Sequence, residues 1–256
     1  MSKKTLILIY ILTIIAFFWE LLSLIIYLST DVLIFWQIAS ILISVIAIII
    51  RLFAIDTEKF ESLIVDTDIY STNKSLNPKR FLNYMPVAMI FCTIADIVIP
   101  VSFIAGVLFF LIAHVLLIAA YSGIIHINPK VAFSGTNKIL ALGSTIILTI
   151  AIFIIYFTLL YSVEDFTTVL LIPYIGIITI MAIITFIGLG YNSRPIKFRL
   201  ILCGGATLFL ISDAILAYNK FNTPVYLPAI WIGGTYFLAI FMLQFAILFS
   251  RSLREN

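Results

Sequence analysis

Four ionisable side chains stand inside long apolar runs of the chain: Glu20, Asp96, His114 and Asp213. At the centre of a membrane helix each such group costs roughly 2.5–3.5 kcal/mol on insertion scales, so each asks for a function or a partner. Three carboxyls and an imidazole can exchange protons, relay them or ligate an ion. Asp96 and Asp213 also share local sequence, Thr93-Ile94-Ala95-Asp96-Ile97-Val98 beside Leu210-Ile211-Ser212-Asp213-Ala214-Ile215. Two carboxyls confined to one dry pocket divide naturally into one acid and one anion, because like charges at close range in low dielectric are not both ionised. Structural roles compete with these. Glu20 can snorkel or cap a helix contact, His114 can make an interhelical hydrogen bond, and Tyr121, Tyr236 and Gln244 are typical helix-helix glue.

The elements that must carry these residues follow from composition. Of 256 residues, 63% are apolar and 11% charged, with a mean hydropathy of +1.23, whereas a soluble domain lies near ~45–50% and ~25%. The chain is predicted to be all-α, one integral-membrane domain over 1–256 with eight transmembrane helices. The spans lie near 5–29, 32–53, 84–100, 103–122, 139–161, 167–190, 199–218 and 225–249. Turn chemistry separates them at Ser29-Thr30-Asp31, Pro100 with Ser102, Glu164-Asp165, Asn192 to Pro195 and Asn219 to Pro224. No ten-residue alternation of the outer-membrane barrel kind occurs. The run from Leu6 is too long for a signal-peptide core and reads as a retained first span. A polar loop, 54–83, has room for a short interfacial helix, and solvation alone explains its mixed charges. The net charge of +3 resides in short loops rather than a basic stripe, which excludes a nucleic-acid partner. Cys92 and Cys203 lie inside apolar runs as small buried hydrophobes.

Orientation follows from the basic residues. With the amino terminus in the cytoplasm, fourteen of the fifteen lysines and arginines fall on the inside and Lys220 alone falls outside. Both termini are therefore expected in the cytoplasm, at the plasma membrane of a prokaryote or the endoplasmic reticulum of a eukaryote. Counting ~1.5 Å per residue, Asp96 and Asp213 lie about 18 Å and 21 Å from the inner start of their spans, with Glu20 at a similar level and His114 near mid-membrane. A shared polar pocket is geometrically open to them. The aspartates stand four spans apart on parallel helices, an arrangement that points to two parallel four-helix halves.

The same residues carry a resemblance. Gly205-Ala206-Thr207-Leu208-Phe209-Leu210-Ile211-Ser212-Asp213-Ala214-Ile215-Leu216-Ala217 resembles the Gly-Ala-x-Leu-Phe-x-x-Ser-Asp-x-x-Leu-Ala block of the YhhN family of multi-pass membrane proteins, whose characterised members are lysoplasmalogenases. Phe91-Cys92-Thr93-Ile94-Ala95-Asp96 is similar to its Phe-Ser-x-x-Gly-Asp, Phe103, Gly106 and Ala113-His114 follow its order, and Thr235-Tyr236-Phe237-Leu238-Ala239 opens the last span as the family does. The likeness covers roughly 84–250. Departures fall at Met85, Ala95, Leu117 and Ile240, where the family has lysine, glycine, tyrosine and glutamine, although Gln244 lies one turn beyond Ile240 on the same face. The resemblance implies an ether hydrolase that needs no cofactor or metal. Its substrate would be a lysophospholipid drawn from the bilayer, the vinyl ether of a lysoplasmalogen being cleaved to a fatty aldehyde and glycerophosphocholine or glycerophosphoethanolamine. Asp96 and Asp213 would be the catalytic carboxyls, with His114 tuning or relaying protons, Ser212 orienting its neighbour, and Glu20 and Tyr236 as further binding or relay candidates. Which aspartate is the acid stays open in the sequence.

Two other classes compete. Buried acids and a histidine on eight helices also describe a proton-coupled transporter, for which Pro173 and Gly176 in the sixth span are the nearest thing to a broken helix. A haem or metal redox protein would need a second histidine at depth, but His126 falls in a loop, and single scattered acids lack metal-site spacing. No lysine lies inside a span, which excludes a retinal Schiff base, and neither His-Glu-x-x-His nor Gly-x-Ser-x-Gly occurs.

Overall fold

The computed structural model describes residues 3–30, 33–55, 78–125, 137–155, 157, 166–190 and 195–249. They form helices α1 (Lys3–Thr30), α2 (Leu33–Ile55), α3 (Pro78–Val98), α4 (Phe103–Tyr121), α5 (Asn137–Ile155), α6 (Phe166–Leu189), α7 (Ile196–Phe221) and α8 (Thr235–Phe245). A π-helical turn, Ala229–Gly234, leads into α8, and a 3-10 turn, Ala246–Phe249, ends it. Among the described residues there is no strand. Five stretches, Leu33–Leu52, Lys79–Val98, Phe103–Tyr121, Leu171–Leu189 and Ile196–Phe221, are long and apolar enough to cross a bilayer, and Ile14–Tyr27, Leu142–Ile154 and Ala229–Phe245 are shorter apolar helices. The suggested interfacial helix between 56 and 77, together with Lys59, Lys74, His126, Lys130 and Arg194, lies outside the described residues.

Two boundaries differ most from the sequence reading, and the seventh helix, Ile196–Phe221, is three residues longer at each end than the expected 199–218. The third helix starts at Pro78, not near 84. Proline suits a first helical position, where its missing N–H costs nothing, and the polar first turns are held by Arg51 Nε donating to Asn83 Oδ1 at 2.9 Å from α2. The last helical segment begins at Ala229 rather than 225, because Pro224 and Pro228 disfavour helical backbone in the residues before them; Leu227, just ahead of Pro228, has φ +50°. Pro173 interrupts nothing: α6 runs through it from Phe166 to Leu189.

The helices close into a ring. Each of α1, α2 and α3 packs on the next, α4 then meets α6, α6 meets α7, α7 meets α8, and α8 returns to α1 and α2, while α5 lies against α6. One continuous core joins α2 to α8, and a smaller cluster ties Ala16 of α1 to Ile46, Ile50 and Phe245. Large apolar side chains such as Phe18, Leu52, Ile147 and Leu200 point outward, as lipid contact requires. Two close approaches depend on glycine. A Cβ at Gly106 would meet Ile99 Cβ at 2.8 Å, so the α3–α4 corner is tight, and a Cβ at Gly233 would meet the Trp36 ring at 2.3 Å, so the π turn lies directly on α2. Ser102 starts α4 by accepting from the Ala105 N–H.

Candidate active site

Asp96 stands eighteen residues into α3 and Asp213 seventeen residues into the parallel α7, so the closed ring holds them at one level. They are near enough for their charges to interact. Asp96 is 4% exposed, and its Oδ2 accepts two hydroxyl protons, from Ser40 of α2 at 2.7 Å and from Tyr236 of α8 at 2.8 Å. Below it, Thr93 Oγ1 donates to the Ser40 carbonyl at 2.6 Å and lies 2.6 Å from Ser44 Oγ, a polar seam that fixes α2 against α3. Asp213 accepts from Tyr174 Oη of α6.

An aromatic cluster packs around Tyr236, whose hydroxyl reaches Asp96, and around His114. Phe110, Phe209 and Tyr236 meet edge to face, with centroids 5.4–6.2 Å apart, and Trp36 lies parallel to Tyr236 at 6.4 Å. His114, fully buried, sits edge-on to Phe209 at 4.6 Å and to Tyr174 at 5.5 Å. Its Nδ1 is 2.7 Å from the Phe110 carbonyl, and with the proton on Nδ1 the Nε2 lone pair faces the core with no hydrogen-bond partner among the described residues. Tyr121 Oη, two turns further along α4, is likewise buried without a partner.

A narrow crevice of about 40 Å3 opens beside this cluster, walled by Phe103, Val107 and Phe110 of α4, Leu171, Tyr174 and Ile178 of α6 and Leu216 and Ala217 of α7, with Ile152 of α5 across it. Asp213 is the one charged group among the described residues that line it. At this volume the slot holds about one water molecule, with a carboxyl and a phenol at one side of otherwise apolar walls.

The remaining candidates are placed elsewhere. Ser212 does not touch Asp213: its Oγ donates to the Ile232 carbonyl at 2.8 Å and ties α7 to the π turn. Glu20 is buried on α1, with no hydrogen bond to either aspartate among the described residues. Gln244 donates to the Ile43 carbonyl at 3.1 Å and joins α8 to α2. Both cysteines are free and buried. Among the described residues no three His, Cys, Asp or Glu side chains converge as metal ligands. Ser40, Trp36, Tyr174 and Phe110 were absent from the sequence reading, and Phe209 entered it only as part of the Gly205–Ala217 block. The weak signals were a tyrosine next to Pro173 and small polar residues spaced four apart, Ser40 and Ser44, in an otherwise apolar span.

No curated protein and no solved structure matches the chain. A sequence model of the YhhN family matches residues 68–247, a stretch that contains Asp96, His114, Tyr174, Asp213 and Tyr236 and most of the crevice. That is well over half of the sequence, and the chain belongs to the YhhN family.

Proposed function

We propose that the protein is a lysoplasmalogenase-like hydrolase that cleaves the vinyl ether of a one-tailed glycerophospholipid inside the bilayer. The observation that carries this reading is the placement of Asp213 on the wall of an apolar crevice, near a second carboxyl that two hydroxyls hold by one oxygen. Membership of a lysoplasmalogenase-like family supports it. In this reading Asp213 is the acid, because it borders the space a substrate enters, and Asp96 is the anion, because two donors converge on one of its oxygens. Asp213 delivers its proton to the outer alkene carbon, the ether oxygen shares the resulting positive charge as an oxocarbenium ion, and the Asp96 carboxylate stabilises that charge. Water adds at the carbon bearing oxygen and returns one proton to Asp213. The hemiacetal then collapses to a fatty aldehyde and the glycerophospho-alcohol. This division of labour between two carboxyls is the one glycosidases use.

The same reading takes the chain as eight spans in two parallel halves with both termini cytoplasmic. The neighbour pattern supports it: α2, α3 and α4 pack in series as α6, α7 and α8 do, and α4 meets α6 as α8 meets α2. In each half the second helix sends a hydroxyl to the aspartate of the third, Ser40 to Asp96 and Tyr174 to Asp213.

The test is aldehyde release from choline and ethanolamine lysoplasmalogens by detergent-purified protein, beside an ester lysophospholipid. Release from the vinyl ethers alone, lost in Asp213→Asn, is expected. No release from a monodisperse preparation, or full activity in the variant, overturns the reading.

A further inference from the structure

An isolated positive charge stands beside one wall of the crevice, at Phe103. Arg51, Lys79, Arg80, Lys138, Lys197 and Arg199 all stand at the end of the ring where α2 finishes and α3, α5 and α7 begin. Lys220 stands at the opposite end, in the last turn of α7. It is exposed, and no carboxylate among the described residues pairs with it. Its Nζ lies over the Phe103 ring, 5.5 Å from the centroid. Phe103 is also a wall of the crevice, so the ammonium group stands beside that wall.

The register along α7 ties this charge to the acid. Asp213, Leu216, Ala217 and Lys220 follow the i, i+3, i+4, i+7 spacing of a single helix face, and Leu216 and Ala217 wall the crevice between them. Seven residues separate Asp213 from Lys220, about 10.5 Å along the axis. In a one-tailed alkenyl glycerophospholipid the phosphorus and the outer alkene carbon are some seven bonds apart, roughly 9 Å when extended. The two lengths are of the same order. The exposed aromatics Tyr218, Tyr226 and Trp231 mark the same end of the ring as a membrane boundary, the depth at which lipid phosphates lie.

We infer that Lys220 recognises the phosphodiester of the substrate head group and so sets the alkene against Asp213, with the acyl-like tail running on past Phe110, Ile175 and Ile178. This rests on the vinyl ether reading for the identity of the substrate. Lys220 touches no reacting atom, so it acts on binding and register, and its effect belongs in KM.

The test compares wild type, Lys220→Gln and Lys220→Arg on an alkenyl lysophosphocholine and on the phosphate-free 1-alkenylglycerol. Lys220→Gln is expected to raise KM for the phospholipid about tenfold with kcat unchanged, Lys220→Arg to stay near wild type, and the alkenylglycerol to be cleaved alike by all three. Binding of a saturated alkyl ether lysophosphocholine, which cannot be cleaved, is measured in parallel and should weaken about tenfold in Lys220→Gln. Equal binding by Lys220→Gln, or an equal loss on both substrates, overturns the proposal and leaves Lys220 a helix-end anchor. Alkyl ether binding that depends on Lys220 without cleavage of either alkenyl lipid upholds the phosphate site and overturns the hydrolase reading instead.

Discussion

Replacing Tyr236 by phenylalanine removes one oxygen atom from the centre of the site and leaves the ring in place. That oxygen donates to Asp96 Oδ2 at 2.8 Å. The ring contacts Phe209 at 5.4 Å, Phe110 at 5.8 Å, Phe237 at 5.4 Å and the parallel Trp36 at 6.4 Å. All four survive in Tyr236→Phe, so packing changes little and the loss is one hydrogen bond to a charged, buried acceptor, ~1.5–3 kcal/mol. Ser40, 2.7 Å from the same oxygen, still holds Asp96 and keeps the loss near the lower end. If the Asp96 carboxylate faces the oxocarbenium ion, this free energy is felt in the transition state and not in the bound substrate. The expectation is a fall of roughly tenfold in kcat with little change in KM. Initial rates of aldehyde release over a lysoplasmalogen series measure it, with thermal unfolding in detergent confirming that the variant is folded. Adding Ser40→Ala completes a double-mutant cycle, in which the two donors should couple because they share one acceptor oxygen. A Tyr236→Phe protein within about threefold of wild-type kcat, beside an inactive Asp96→Asn, would refute the reasoning.

Tyr174→Phe removes the hydroxyl that holds Asp213, and since no second donor reaches Asp213 among the described residues, kcat is expected to fall further than in Tyr236→Phe in the same assay. Gly233→Ala places a methyl group against the Trp36 ring, where a Cβ would stand 2.3 Å away, and this overpacking should cost ~1–3 kcal/mol. It is read as a lower unfolding temperature in detergent that Trp36→Phe partly restores.

The helical segments are legible because a bilayer leaves little choice: about 20 apolar residues in a row must satisfy their own backbone, and only a helix does so within one segment. The start of α3 escapes that logic, since Lys79, Arg80 and Asn83 are polar yet helical. Asp96, His114 and Asp213 announce themselves because an ionisable group in such a run is expensive. Ser40 and Tyr174 do not, because a membrane helix tolerates a hydroxyl at small cost and often satisfies it on the preceding turn, as Thr179 does on the Ile175 carbonyl and Thr207 on the Cys203 carbonyl. Ser212 misleads for a different reason. It neighbours Asp213 in sequence, but successive residues point about 100° apart around a helix, so one turns to Ile232 while the other turns to the crevice. Nor does any local pattern reveal that α4 passes its contact to α6 and leaves α5 outside the ring.

Among the described residues hydroxyls hold both acids, Ser40 and Tyr236 on Asp96 and Tyr174 on Asp213, and the Trp36 side chain adds a further donor to Asp96. A lysine or arginine would satisfy a buried carboxylate more strongly, but it has no lone pair to offer a carboxylic acid and would hold the group as an anion. A hydroxyl both gives a proton and accepts one, so it serves the carboxyl in either state. In the proposed reaction Asp213 loses and regains a proton in each turnover, and Tyr174 is a partner of that kind. The three hydroxyls come from α2, α6 and α8, so no single helix sets the geometry. Ser40 and Trp36 precede residue 68, where the family match begins, yet one binds Asp96 and the other lies against Tyr236. The surroundings of the two acids are therefore a property of the closed ring, and the α3 and α7 motifs are completed only when α2 and α8 close around them.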